Sequence, residues 1–252
     1  MPGLNFCANL TWLFTELPMI DRFGAAKKAG FDAVEILFPH DEPISATRAA
    51  IDRAGLTLAL INCPPLRETE EERGFAAVPG SENMFRRDFI RTLEVAQALG
   101  AHQIHIMSGA ATGDEAKACF VENLRWAAHH ASGQNLTIEP INPYDMPGYF
   151  LNDFDLGLDI LKQVAAKNLK LQFDAYHAHR ITGDVLGTWS KCRMKTSHVQ
   201  VAGYPGRHEP FDCEIDYPAF FAQLFSDGYS GWVSGEYRPK NTTEAGLSWI
   251  SE

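Results

Sequence analysis

An eightfold alternation of short and long segments most constrains how this chain can fold. Short runs rich in apolar and β-branched residues alternate with longer amphipathic runs along the whole sequence. Such alternation predicts strand–helix units and therefore a parallel sheet with helices packed against it. The predicted strands cover 4–9, 32–38, 56–62, 102–107, 135–139, 169–174, 196–201 and 231–236. The predicted helices cover 16–29, 43–54, 83–99, 114–131, 153–166, 181–193 and 216–227, with a short tail at 242–250.

Eight such units in 252 residues favour closure of the sheet into a (β/α)8 barrel. An open, doubly wound sheet is the alternative. It would place a glycine-rich phosphate turn after the first strand, and ANLTWLF at 8–14 is not such a turn. No linker or low-complexity stretch divides the chain. We therefore expect one α/β barrel domain over 1–252 and no organic cofactor.

The charge and the cysteines narrow the range of partners. A net charge of −10 repels phosphate backbones, which argues against nucleic acid and anionic membrane surfaces as partners. The five cysteines are scattered without a C-x-x-C pair, which favours reduced thiols over disulfides. No apolar run approaches the length of a membrane span. We expect a cytoplasmic protein, and a homo-oligomer is compatible with the sequence.

Polar side chains lie at or near the ends of four consecutive predicted strands. The fifth ends in Glu139, the sixth in Asp174 and the eighth in Glu236, and the seventh carries Gln200. A carboxylate at the end of a buried strand is costly unless it is paired or binds a metal. Each residue alone could instead cap a helix or face solvent. Because strand ends meet at the mouth of a barrel, the set predicts a site for Mg²⁺ or Mn²⁺.

The two glutamates also suggest a reaction. A divalent cation bound to neighbouring carbonyl and hydroxyl oxygens acidifies the C–H bond between them. One carboxylate can then remove that proton while a second group delivers a proton to the neighbouring carbon. We therefore predict Glu139 and Glu236 as the catalytic acid and base of an aldose–ketose type isomerisation.

Two histidines and a serine near strand ends are candidates for substrate binding. His177 follows Asp174 by three residues and could donate to a substrate oxygen. His105 and Ser108 close the fourth strand in the sequence HIMSG. The alternative for each is a loop side chain whose hydrogen bonds serve the fold.

The segment GYPGRHEP at 203–210 follows the seventh strand and supplies positive charge. Its glycines let the backbone approach a ligand closely. Arg207 and His208 offer hydrogen-bond donors for a carboxylate, although an exposed turn with an Arg207–Glu209 ion pair is the alternative. We favour the interpretation that Arg207 and His208 bind the carboxylate of a substrate. We therefore expect a small anionic keto or hydroxy acid as substrate.

The loop after the third strand is unusually long, from Cys63 to about Ser81. Loops of this length in compact domains are often functional lids. We expect either a lid over the site or a simple insertion.

Several motifs together resemble the hydroxypyruvate isomerase family of xylose isomerase-like barrels. The resemblance covers nearly the whole chain in order, and its most specific motif is HVQVAGYPGRHEP at 198–210. The other matching motifs are FCANLTWLFTELP at 6–18, RGFAAVPG at 73–80, IEPIN at 138–142, DMPGYFLN at 145–152, NLKLQFDAYH at 168–177 and GYSGWVSGEYRP at 228–239.

The resemblance implies both a metal site and a reaction. It implies a divalent metal at Glu139, Asp174, Gln200 and Glu236, with Glu139 and Glu236 as the acid–base pair. The family interconverts hydroxypyruvate and tartronate semialdehyde. A close branch moves the carbonyl of a 2-oxo-tetronate between C2 and C3. Both substrates carry a carboxylate, which suits Arg207 and His208.

Three other functions stay open at this point. A ketose 3-epimerase of the same superfamily would use the same ligands on neutral sugars, without needing the cationic anchor. A metal-dependent endonuclease on abasic DNA would need a zinc cluster with many more histidines, and the negative charge argues against it. A sugar-acid binding protein would bind ligand without turnover, which leaves Glu139 and Glu236 unexplained.

Overall fold

The computed structural model describes residues 3–65 and 73–250, and within them eight parallel strands close into a barrel. Each strand pairs with the next along the chain, and the eighth pairs with the first. The predicted (β/α)8 barrel is therefore confirmed. The strands are β1 (Asn5–Asn9), β2 (Ala33–Ile36), β3 (Thr57–Cys63), β4 (Gln103–Ile106), β5 (Asn135–Ile138), β6 (Leu169–Asp174), β7 (Thr196–Val201) and β8 (Trp232–Gly235).

Helices surround the barrel in the order that the sequence pattern predicts. Two of them end at glycines with positive φ, Gly55 (φ 62°) and Gly100 (φ 72°). No helix within residues 3–65 and 73–250 is long and apolar enough to cross a membrane. The helices are α1 (Met19–Lys28), α2 (Ile44–Ala54), α3 (Glu82–Leu99), α4 (Gly113–His130), α5 (Phe154–Val164), α6 (Ala175–Thr182), α7 (Val185–Cys192) and α8 (Tyr217–Ser226).

Two predicted helices are wrong in detail. In place of one helix at 181–193, α6 begins at Ala175 and stops before Gly183 (φ 73°), after which α7 begins. The early start has a local cause: Asp174 Oδ1 accepts a hydrogen bond from the backbone N–H of Tyr176 at 2.7 Å and so caps α6. The predicted tail helix at 242–250 forms two short 3₁₀ turns.

The barrel interior changes character from its floor to its mouth. Small side chains of β1, β2 and β3 (Cys7, Ala33 and Ala59) pack with Trp232 at the floor. Closer to the carboxyl ends of the strands, the interior holds polar side chains without exposure to solvent. Outside the sheet, Phe173 packs on Trp189 with ring centroids 5.4 Å apart, which anchors the end of β6 against α7.

The described part of the long loop after β3 is packed against the loop after β4. Gly74 (φ 93°) and Gly109 (φ 86°) approach so closely that a Cβ at Gly109 would lie 2.2 Å from the Gly74 carbonyl oxygen. The backbone N–H of Ala77 also donates to the Ser108 carbonyl at 2.7 Å. These contacts hold the described part of the loop against the loop after β4. The rest of the predicted lid, 66–72, lies outside the described residues.

Candidate active site

The strand register brings the predicted carboxylates to one end of the barrel. Asp174 is the last residue of β6 and pairs in register with Gln200 of β7. Glu139 and Glu236 directly follow β5 and β8, and the backbone N–H of Glu236 donates to the Val201 carbonyl at 3.1 Å. All four predicted metal-site residues are buried.

A cavity of about 1020 Å³ opens at this end of the barrel. Five of the predicted site residues line it. They are His105, Glu139, His177, Arg207 and Glu236. Trp12 and Tyr176 form part of its wall. The cavity therefore joins the predicted acid–base pair, two histidines and one guanidinium in a single space.

Three buried side chains at the cavity could hold a metal ion. One ligand atom each from Glu139, Asp174 and His177 lies within 4.8 Å of the other two. Glu139 Oε1 is buried without a hydrogen-bond partner, as expected of an oxygen that awaits a ligand. The two carboxylates of this group, Glu139 and Asp174, are oxygen donors of the kind that a hard divalent cation prefers.

Burial and mutual repulsion make the carboxyl groups hard to ionise together. Burial raises the pKa of Glu139 well above its ordinary value, and repulsion by Glu236 and Asp174 raises it further. Burial also raises the pKa of Asp174. The pKa of Glu236 rises to about 8, because burial outweighs the lowering effect of Arg207. Such a set requires a nearby cation or shared protons.

Arg207 supplies one cation. Its Nη2 is in close contact with Glu236 Oε2 and lies 3.3 Å from Asp174 Oδ2. Its guanidinium carbon lies 5.3 Å from the ring centroid of Trp12 and 5.0 Å from that of Tyr176. Burial alone would lower the pKa of Arg207, but Glu236 and Asp174 raise it above its ordinary value. Arg207 therefore stays charged inside the carboxylate cluster.

The hydrogen bonds of His177 determine its tautomer. Its Nδ1 accepts from Nδ2 of Asn142 at 2.7 Å, and Oδ1 of Asn142 is held by the N–H groups of Tyr144 and Asp145. Burial lowers the pKa of His177 well below its ordinary value, so the ring is neutral. A neutral ring whose Nδ1 accepts must carry its proton on Nε2. The proton on Nε2 therefore favours a role for His177 as a hydrogen-bond donor and not as a metal ligand.

His105 lies on the other side of the Glu139 carboxylate group, with Nδ1 3.8 Å from Glu139 Oε2, whereas His177 Nε2 lies 3.9 Å from Glu139 Oε1. Its Nδ1 lies 3.2 Å from Oδ1 of Asn62, and its Nε2 is buried without a partner. Burial lowers the pKa of His105 to about 3, so the ring is neutral. With the proton on Nδ1, Nε2 can accept a hydrogen bond from a substrate hydroxyl.

Four predicted site residues do not line the cavity, namely Asp174, Gln200, Ser108 and His208. The Gln200 amide is held inside the barrel, with Oε1 accepting from Gln172 at 2.7 Å and Nε2 donating to Glu35 at 2.7 Å. The Ser108 hydroxyl accepts from the Leu151 N–H at 3.2 Å. His208 Nδ1 donates to a backbone carbonyl at 2.8 Å. The structure thus engages these groups in contacts that hold the interior and the loops.

Sequence reasoning missed a group of polar side chains beneath the cavity. Glu35 lies in the buried strand β2 and is fully shielded from solvent, as is His198 of β7. The two side chains pair at 2.6 Å. The rule that selected Glu139, a carboxylate in an otherwise apolar strand, applies equally to Glu35 in the sequence AVEI and could have found it.

The chain resembles known proteins over nearly its whole length. A family model described as "Xylose isomerase-like TIM barrel" matches residues 23–252. The chain is 45% identical to a 2-oxo-tetronate isomerase of Cupriavidus necator, covering 98% of this chain and 97% of that protein. It is 37% identical to a hydroxypyruvate isomerase of Escherichia coli, covering 98% of each.

Solved structures share the fold. A crystal structure from Brucella melitensis titled "AP endonuclease, family 2" superposes with a TM-score of 0.95 at 39% identity, covering 98% of each chain. A D-psicose 3-epimerase from Clostridium cellulolyticum H10 superposes with a TM-score of 0.78 at 19% identity, covering 97% of this chain and 89% of the other. The epimerase shows only a shared fold.

The family match and the full-length relatives place the chain beside proteins named 2-oxo-tetronate isomerase and hydroxypyruvate isomerase. The chain belongs to the xylose isomerase-like TIM barrel family.

Proposed function

We propose that this protein is an isomerase that moves the carbonyl group of a small 2-oxo, 3-hydroxy acid between C2 and C3. The observation that carries the proposal is that two buried carboxyl groups, Glu139 and Glu236, line one cavity. They follow β5 and β8, so they can reach a substrate from two sides. The relatives named 2-oxo-tetronate isomerase and hydroxypyruvate isomerase support the same reaction type.

The reaction is a pair of proton transfers. One glutamate removes the proton from C3, and the electron pair forms an enediolate across C2 and C3. The other glutamate delivers a proton to C2, while the hydroxyl proton passes from O3 to O2. Burial raises the pKa of both glutamates, which keeps a proton available near neutral pH for the acid step of the reaction.

Neighbouring side chains orient the substrate. His177 Nε2–H donates to a substrate oxygen and so supports the negative charge that develops on the enediolate. His105 Nε2 accepts from a substrate hydroxyl. Arg207 anchors the substrate carboxylate and at the same time limits the repulsion between Glu236 and Asp174. Ser108 and His208 bond to backbone groups and hold loops, so we assign them no direct contact with the substrate.

The metal site uses oxygen donors. Glu139 and Asp174 would hold a Mg²⁺ or Mn²⁺ ion, with Glu236 completing the set, while Gln200 keeps its hydrogen bonds to Glu35 and Gln172. The ion would polarise the substrate carbonyl and acidify the neighbouring C–H bond. His177 keeps its proton and contributes a hydrogen bond.

Among the possible substrates, the four-carbon 2-oxo-tetronate is our first choice. The relative at 45% identity carries that substrate in its name, as does a second relative from Haemophilus influenzae at 39%. The cavity of about 1020 Å³ accommodates a four-carbon acid as readily as hydroxypyruvate. An endonuclease function fits less well, because the described residues contain a single group of metal-capable side chains.

The experiment is a proton NMR assay in D₂O with 2-oxo-tetronate, hydroxypyruvate and a neutral ketose, each with and without chelator. We expect conversion of 2-oxo-tetronate to the 3-oxo isomer with deuterium incorporated at C2, faster than any turnover of hydroxypyruvate. Chelator should slow the reaction, and added Mg²⁺ or Mn²⁺ should restore it. Epimerisation of the ketose alone would indicate an epimerase, and binding of acids without turnover would contradict enzyme function.

A further inference from the structure

Five polar side chains form a connected network inside the barrel, directly beneath the cavity. We call this set the inner network. Its members come from four strands, and each is at most 1% exposed: Asn9 of β1, Glu35 of β2, Gln172 of β6, and His198 and Gln200 of β7. Water cannot satisfy these groups at this depth, so their hydrogen bonds to one another decide their orientation.

Glu35 is the centre of the inner network. Its Oε2 accepts from His198 Nε2 at 2.6 Å. Its Oε1 accepts from Asn9 Nδ2 and from Gln200 Nε2, both at 2.7 Å. The amide nitrogens of Asn9 and Gln200 can only donate, so both residues turn their NH₂ groups toward Glu35.

This requirement sets the direction of each amide around Glu35. Because Gln200 turns its NH₂ group to Glu35, its carbonyl oxygen faces Gln172. That oxygen accepts from Gln172 Nε2 at 2.7 Å, and the same NH₂ group donates to Glu139 Oε2 at 3.0 Å. Reversal of the Gln200 amide would place two NH₂ groups against each other and turn the donor away from Glu139.

The other arm of the inner network reaches the second glutamate. Asn9 directs its NH₂ group at Glu35 and also donates to Glu236 Oε1 at 3.2 Å. Its carbonyl oxygen accepts from the Thr11 N–H at 3.0 Å, which leaves the amide one satisfied orientation. One buried carboxylate thus connects Glu139 and Glu236 through amides of fixed direction.

We propose that Glu35 is a positioning residue that orients both Glu139 and Glu236 through the amides of the inner network, an inference that rests on the proposed isomerase function. A role in stability alone does not explain the choice of residue. Apolar side chains of similar volume fill a barrel interior without the cost of burying a charge. Glu35 does not line the cavity, so it acts on the reaction only through other groups.

The test compares two substitutions of Glu35. Glu35→Leu fills the space but accepts no hydrogen bond, so the amides lose their fixed direction. We expect kcat to fall about 100-fold, as for reacting groups displaced by about 1 Å. KM should stay within about threefold, because the groups that contact the substrate remain.

Glu35→Gln is the conservative variant. Its one carbonyl oxygen can still accept from Asn9 and Gln200, while its NH₂ group faces His198, whose proton must then move to Nδ1. That nitrogen is buried without a partner, so the rescue is partial. We expect kcat about tenfold below wild type, between wild type and Glu35→Leu. Asp88→Asn is the matched control, because Asp88 is a buried acid on α3, outside the barrel interior.

Crystal structures of the wild type and Glu35→Leu separate this inference from the proposed function. We expect reoriented Asn9 and Gln200 amides and displaced carboxylate oxygens at Glu139 and Glu236. Unmoved carboxylates overturn the inference whether or not the wild type turns over an acid. An unchanged kcat, or an equal loss in Asp88→Asn, also overturns it. An inactive wild type with displaced carboxylates in the variant refutes the function but keeps the positioning.

Discussion

The two halves of the barrel mouth differ in what their strand ends carry. The half built by β5 to β8 presents Glu139, Asp174 and Glu236, with Arg207 held among them. The half built by β1 to β4 presents neutral groups at its strand ends, such as Asn62 and a neutral His105. The charged side chains of this half that line the cavity come from loops and from α3, because Glu35 of β2 lies beneath the cavity. We infer that one half performs the chemistry and that the other shapes the space for the substrate.

The largest expected effect lies in the charged half. Glu139→Gln and Glu236→Gln keep the shape of each side chain but remove the group that exchanges a proton. We expect each to lower kcat about 10³-fold, within the range of general acid–base catalysis. Steady-state kinetics measure this, and thermal melting followed by circular dichroism checks the fold.

Asp153→Asn is the control for these two variants. Asp153 caps α5 by accepting from the Leu156 N–H at 2.8 Å, and asparagine caps equally well. Its kcat should equal that of wild type. Near-normal turnover in either glutamine variant would remove that glutamate from the acid–base pair.

The second effect concerns Arg207. Arg207→Ala removes a charged hydrogen-bond donor from Glu236 and Asp174 and from the substrate carboxylate. We expect kcat/KM to fall about 30- to 100-fold, since bonds to charged groups contribute roughly 2–3 kcal/mol. Arg207→Lys should retain part of the activity, because it keeps the charge but loses the fork of donors. A fall in KM, or no change, would contradict an anchoring role.

The third and smaller effect tests the shaping half. Trp12 packs its ring against the guanidinium groups of Arg207 and Arg238, at 5.3 Å and 5.1 Å from the ring centroid. Trp12→Phe keeps a ring face with weaker attraction for a cation. We expect KM to rise about two- to fivefold with kcat nearly unchanged, as for loss of roughly 0.5–1 kcal/mol. A large fall in kcat would show that this half takes part in the chemistry.

The smallest effect is expected at the cysteines of the shaping half. Burial raises the pKa of the Cys63 thiol to about 12 and that of Cys7 well above its ordinary value. At pH 8 both thiols are therefore protonated and poor nucleophiles. Mass spectrometry after iodoacetamide treatment of the native protein should show both unmodified, whereas urea-unfolded protein should be alkylated at both. Rapid modification of either in the native state would contradict their burial.

The sequence pattern predicted the barrel because that pattern repeats locally. The spacing of apolar residues within each segment predicts whether that segment is a strand or a helix. Eight strand–helix units in a chain of this length favour a closed barrel. The apolar pattern gave the wrong helix start where a single hydrogen-bonded contact determines it. Asp174 caps α6 and so starts that helix at Ala175, six residues before the predicted start, through hydrogen bonds that residue spacing does not reveal.

For the site, the sequence by itself determined which strand ends carry polar side chains. Glu139, Asp174, Gln200 and Glu236 stand at or near the ends of adjacent parallel strands, and register brings such ends together. Only the tertiary structure decided which partner each side chain has. Gln200 could face the cavity or the interior, and Glu35, 165 residues away in the chain, holds it inside. Hydrogen bonds depend on distance in space, and distance in sequence says nothing about them until the barrel has closed.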